Sequence, residues 1–150
     1  MRDAIIDRVA LEFYQRNIRV QQGENEEGCF LLGDFPAQNV PSFRFMLWNA
    51  KSAISAFVSV AQGVPPGKYR EVLSRLNQLN RDHQWVKFIL LEDENAIQAV
   101  YDFPVDYKAG KALDMDYAFE RIGRAVGELV EFLVVSADEA YPGLMEILRS

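Results

Sequence analysis

The chain has little of the chemistry from which small proteins build disulfide staples, metal centres or redox sites. Cys29 is its only cysteine and His83 its only histidine. A single cysteine excludes an internal disulfide and a cysteine-based zinc site, and it suits a reducing compartment. Cations are in the minority: 16 Lys and Arg stand against 22 Asp and Glu, a formal charge of -6. The basic residues are also scattered, so direct contact with nucleic acid or with an anionic membrane is disfavoured. No apolar run approaches the ~18 residues of a membrane span. Charges interrupt MRDAIIDRVALEFYQ too often for a secretory leader. These absences predict a cytoplasmic protein.

What the chain does have is apolar content, 49% of 150 residues, which is enough for one domain core with no cofactor or metal. Ile5, Val9 and Phe13 recur at four-residue spacing and predict a helix ending near Asn17. The polar stretch Gln21 to Gly28 reads as an exposed loop before a strand at Cys29 to Leu32. Phe43 to Trp48 and Ile54 to Val60 read as a hairpin joined through Asn49, Ala50 and Lys51.

Pro65 and Pro66 then stop a strand and start a helix whose stripe is Tyr69, Val72, Leu73, Leu76 and Leu79. Trp85 to Leu91 and Ile97 to Phe103 form a second hairpin around the turn Glu92 to Asn95. After a loop at Pro104 to Gly110, with Asp114 or a neighbour as cap, Met115, Phe119, Ile122, Val126, Leu129 and Leu133 carry the strongest helical period in the chain. A separate terminal helix is expected over Tyr141 to Leu148, with Pro142 in its first turn. The order α-β-β-β-α-β-β-α(-α) predicts an α+β fold: one domain over residues 1–150, with helices packed on an antiparallel sheet of about five strands.

Residues that could carry chemistry form no catalytic or metal-binding pattern. Glu24, Glu26 and Glu27 lack the spacing and glycine of a calcium loop, and in the tight EDEN turn adjacent carboxylates rarely converge on one ion. GVPPGKY is one residue short of a phosphate-binding loop and lacks its Ser or Thr, while its prolines remove backbone donors. His83 has candidate carboxylate partners in Asp82, Asp102 and Asp106, but no serine sits in a nucleophile elbow and Cys29 has no catalytic signature. No catalytic, cofactor-binding or metal-ligating residue is assigned. Asn80 and His83 fall on the apolar side of their helix at its end, where side-chain amides and imidazoles can satisfy open carbonyls or the neighbouring strand. Both are expected to close the helix-to-strand corner.

Apolar residues exceed what one buried sheet face needs. Phe43, Phe45 and Leu47 fill one side of their strand, yet Met46 and Trp48 lie on the other, and Trp85 belongs to a similarly two-faced segment. Gly123 and Gly127 flank the long helix's stripe at about 1 kcal/mol each relative to alanine. That cost implies close packing there, against the sheet or against a second subunit. Met46, Trp48, Trp85, Gly123 and Gly127 are therefore the candidate protein-interaction surface.

EVLSRLNQLNRDHQWVKFIL, followed by an acidic turn, AVYDFPVD and a long closing helix, resembles the YbjN-like family of bacterial sensory transduction regulators. Its sharpest part is Leu76-Asn77-Gln78-Leu79-Asn80 leading into Trp85 to Phe88. The resemblance implies a type III secretion chaperone-like fold and a non-enzymatic, often dimeric protein that binds another protein. The leading expectation is a homodimeric chaperone-like adaptor or regulator with an unidentified protein partner. The alternative is a small-molecule sensor or enzyme, with a pocket between sheet and long helix lined by Tyr101, Asp102 and His83.

Overall fold

Asp3 starts the first helix. In a computed structural model describing residues 3–49, 53–104 and 115–150, its carboxylate accepts from the Ile5 and Ile6 backbone N–H groups at 3.0 and 3.1 Å. Two of the donors that a helix N-terminus leaves open are thereby satisfied. Helix α1 (Ala4–Gln15) buries Ile5, Ile6, Val9, Ala10 and Phe13. Just beyond it Asn17 takes a left-handed φ of 61°, which asparagine tolerates better than most residues.

Strands β1 (Val20–Asn25), β2 (Gly28–Pro36), β3 (Ser42–Asn49) and β4 (Ala53–Ala61) follow. A 3₁₀ turn at Pro66–Lys68 leads into α2 (Tyr69–Asp82), then β5 (Lys87–Leu91), β6 (Ala96–Pro104) and α3 (Met115–Arg149). The described residues form one antiparallel sheet in the order β1-β2-β3-β4-β6-β5 with three helices, an α+β architecture as expected. The β3–β4 connection at 50–52, the loop at 105–110 and Asp114 lie outside the described residues.

The sheet has six strands where five were expected, because most of the stretch read as a loop is β1. Its pairing runs from Val20↔Gly33 to Asn25↔Gly28. An edge strand with mostly exposed side chains shows no apolar alternation, so its register is held by backbone bonds and by β2. Gly33 serves the adjacent core, since a Cβ there would lie 2.7 Å from the Phe45 ring.

All three helices pack on one sheet face. Leu31, Phe45, Leu47, Ile54, Ala56, Val58, Phe88, Ile97 and Ala99 point into that layer and are buried. Phe13 of α1 meets Phe45 with ring centroids 4.9 Å apart, and Tyr141 of α3 meets Phe43 edge-on at 5.9 Å. Helix α1 also lies along α3. A Cβ at Gly123 would approach the Arg8 carbonyl oxygen to 3.3 Å, and one at Gly127 would approach Glu12 Cγ and Arg16 Nε to 3.0 Å. The close packing implied by these glycines is thus met by the chain's own first helix, which leaves neither glycine on an open surface.

The expected break before Tyr141 is absent: α3 runs unbroken from Met115 to Arg149 with Pro142 inside it. Proline has no N–H for the carbonyl four residues back, here that of Asp138. The β2–β3 connection supplies the missing donor. Asn39 Nδ2 donates to the Asp138 carbonyl at 2.9 Å, while the Asp138 carboxylate accepts from the Gln38 and Asn39 backbone N–H groups at 3.0 and 2.9 Å. Asp138 is 8% exposed, so a buried acid and a helix-interior proline are accommodated by one loop. Asn39→Ala should cost about 1–2 kcal/mol by leaving that carbonyl without its partner. Urea denaturation at matched m-values is the check, and an unchanged midpoint would contradict this account of Pro142.

Candidate functional site

The last turn of α2 seals one edge of the sheet. Asn80 Oδ1 accepts from the Phe88 N–H at 2.7 Å and its Nδ2 donates to the Phe88 carbonyl at 3.0 Å. One side-chain amide therefore occupies the β5 backbone as a further strand would, on the side away from β6. His83 Nδ1 donates to the Leu79 carbonyl at 2.8 Å, and its ring meets Phe88 edge-on at 5.4 Å. Lys87 Nζ donates to the Asn80 and His83 carbonyls at 3.2 and 2.9 Å, placing a cation at the negative helix end. The corner role expected of Asn80 and His83 is what the geometry gives.

That geometry does not assemble a catalytic pair. Cys29 is buried on β2 and His83 precedes β5, four strand spacings or about 19 Å across the sheet. Among the described residues no three His, Cys, Asp or Glu side chains converge as metal ligands. Tyr101 and Asp102 do line a cavity of about 400 Å³, but with Trp85, Lys87 and Val100 in place of His83. The imidazole is instead committed to the α2 cap.

The sheet face opposite the helices is covered by no helix among the described residues. In register, Leu32, Met46, Phe57 and Val100 form one row across four strands, and Phe30, Trp48 and Ser55 form the next. All seven are half-buried. Trp48 and Phe57 lie 5.2 Å apart, and Trp48 Nε1 is shielded from solvent with no partner among the described residues. Gly23 on β1 gives the Phe30 ring room, since a Cβ there would overlap it. At the far margin Trp85 is 60% exposed.

Charges on this face balance. Arg44 is paired bidentately with Asp34 across β2 and β3, at 3.0 and 3.1 Å. The other two charged strand residues of the face are Lys87 and Asp102, which gives a formal charge of zero on a chain of -6. The Arg44 hydrogen bond holds the Asp34 carboxyl below its ordinary pKa of 3.8. Because the folded value is the lower one, the pair's contribution is complete above pH 3.8 and is lost as pH falls through the folded value. Both side chains are more than half exposed, so the contribution is small and salt-sensitive. Urea midpoints of wild type and Asp34→Asn should differ slightly at about pH 5, and the difference should shrink as pH falls below 3.8; a difference independent of pH would contradict the pairing.

Strands β3 to β6 of this face and the sealed edge lie in the part of the chain that matches a known family. The YbjN family, described as "Putative bacterial sensory transduction regulator", matches residues 42–116, which is 75 of the 150 residues. The chain belongs to the YbjN family. No curated protein and no solved structure matches it. Within the YbjN match lie β3, β4, α2, β5 and β6, and hence Met46, Trp48, Asn80, His83 and Trp85. No helix among the described residues is long and apolar enough to cross a membrane.

Of the five candidate surface residues, Met46, Trp48 and Trp85 lie on or beside the open face, whereas Gly123 and Gly127 are covered by α1. Phe30, Leu32, Phe57 and Val100 complete the face and were not singled out from sequence. Phe57 carried a readable signal: it sits between Ser55 and Ser59 on the otherwise polar side of its strand.

Proposed function

We propose that this YbjN-family chain is a non-enzymatic, protein-binding regulator that acts as a cytoplasmic homodimer, with its open sheet face as the docking surface. The carrying observation is the continuous half-buried patch formed by Phe30, Leu32, Met46, Trp48, Phe57 and Val100, opposite a face fully packed by helices. Aromatic and methionine side chains of this kind are enriched in interface cores, and contiguous apolar patches on soluble proteins mark association sites. Self-pairing is supported by charge: two copies of an acidic chain meet with least repulsion through a face whose charges sum to zero. Edge-to-edge pairing through β5 is opposed by the Asn80 clamp. A chaperone-like adaptor role rests on the family resemblance and uses the same apolar surface to hold a partner segment.

Light scattering across a dilution series tests the assembly. The reading expects twice the chain mass at micromolar concentrations, falling towards one chain mass on strong dilution. A single-chain mass at every concentration would remove the homodimer.

A further inference from the structure

We propose that the notch at the β5–β6 margin of the open face is a specificity pocket for an arginine side chain presented by a protein partner. The proposal rests on the reading of the open face as a docking surface and names one contact within it. The notch is a cavity of about 400 Å³ lined by Trp85, Lys87, Val100, Tyr101 and Asp102. Lys87 and Val100 are directly opposed across β5 and β6, so the notch has an aliphatic strand residue beside a charged one. Trp85 precedes β5 and is 60% exposed, unlike the half-buried Trp48.

The lining carries one cation, Lys87, and one anion, Asp102, and they differ in how far their hydrogen-bonding capacity is already used. Asp102 is exposed, and its Oδ1 accepts from Ser55 Oγ at 2.7 Å. That hydroxyl holds the carboxylate in place and leaves Oδ2 without a partner among the described residues. The Lys87 ammonium, by contrast, spends two of its donors on the Asn80 and His83 carbonyls at 3.2 and 2.9 Å. Its charge is drawn to the negative end of α2. A ligand entering the notch thus meets a carboxylate with one open oxygen and an exposed indole. Both favour a cation, and a planar guanidinium can stack on the indole while donating to the carboxylate.

The central rows that self-pairing would cover run from β2 to β6, whereas Trp85 lies beyond them at the sheet margin. Val100 at its inner wall belongs to the row that self-pairing covers, but the Trp85 side stays open to a third chain, and the net charge of -6 draws basic segments towards the protein as a whole.

Titration of the ¹⁵N-labelled full chain with N-acetylarginine amide, followed at the two indole N–H resonances, tests the pocket. Trp85→Phe assigns the signals. The Trp85 resonance should shift saturably with a Kd of roughly 1–30 mM, as befits one isolated side chain, while that of Trp48 stays in place. N-acetylcitrulline amide has the same shape without the charge and should bind at least about tenfold more weakly. Asp102→Asn keeps an acceptor for Ser55 and should weaken the arginine amide to a similar degree. A non-saturating response, equal binding of the citrulline compound, or undiminished binding to the Asp102→Asn variant would each overturn the proposal. The readout is independent of assembly mass, so a missing homodimer and a missing arginine pocket are separable results.

Discussion

Met46→Glu is expected to abolish self-association while leaving the fold intact. Met46 occupies the middle of the Leu32, Met46, Phe57 and Val100 row and is only half-buried in the single chain, so a carboxylate there can stay hydrated in the monomer. Unfolding stability should fall by about 1 kcal/mol, the partial loss of one apolar contact surface. In a two-fold dimer paired through this face, the same substitution buries two carboxylates in a mainly apolar patch. Even a few kcal/mol of desolvation raises Kd by roughly 10²–10³-fold. Light scattering should then report one chain mass at concentrations where wild type gives two. Leu32→Gln is the milder companion on the neighbouring strand and should shift the equilibrium in the same direction by a smaller factor. A wild-type mass for both variants would move the interface off this face.

Asn80→Ala should produce the largest loss of stability, about 2–4 kcal/mol, because it strips partners from both the N–H and the carbonyl of Phe88. For a domain of this size that corresponds to roughly 5–12 °C in Tm. The substitution also removes the amide that occupies the β5 edge, so heated samples of the variant should aggregate faster than wild type. Asn80→Asp keeps the acceptor facing the Phe88 N–H but turns an anion towards the Phe88 carbonyl, and should also be destabilised. Melting curves of the two variants within about 1 °C of wild type would show that the clamp contributes nothing.

Asn80 also illustrates what could be read in the sequence. A polar residue on the apolar side of a helix, in its last turn, needs a hydrogen-bond partner there, and the adjoining strand backbone can supply one. Periodicity likewise revealed α1, α2, the long helix and the two hairpins, because each buries a regular stripe. Strand β1 escaped because an edge strand with solvent on most sides needs no apolar alternation. Pro142 misled for a different reason. Locally it looks like a helix start, and the donor that lets the helix continue comes from Asn39, which bonds a carbonyl 99 residues away. Asp138 had no signal of its own, since an acid in a helix reads as solvated until the loop that encloses it is known. The open face was half legible: Met46 and Trp48 betrayed a two-faced strand, while Phe30, Leu32 and Val100 joined them only through sheet register.

The central claim, that the open sheet face is covered on association, is tested most directly by hydroxyl-radical labelling of methionines across a concentration series. Met46 lies in the face and Met145 on α3 in the helical layer, so the second is an internal reference within the same chain. Both are partly accessible in the single chain. Labelling of Met46 should fall severalfold as the mass rises from one chain to two, with Met145 unchanged. Equal labelling of Met46 in monomer and dimer would contradict the account and place the interface elsewhere.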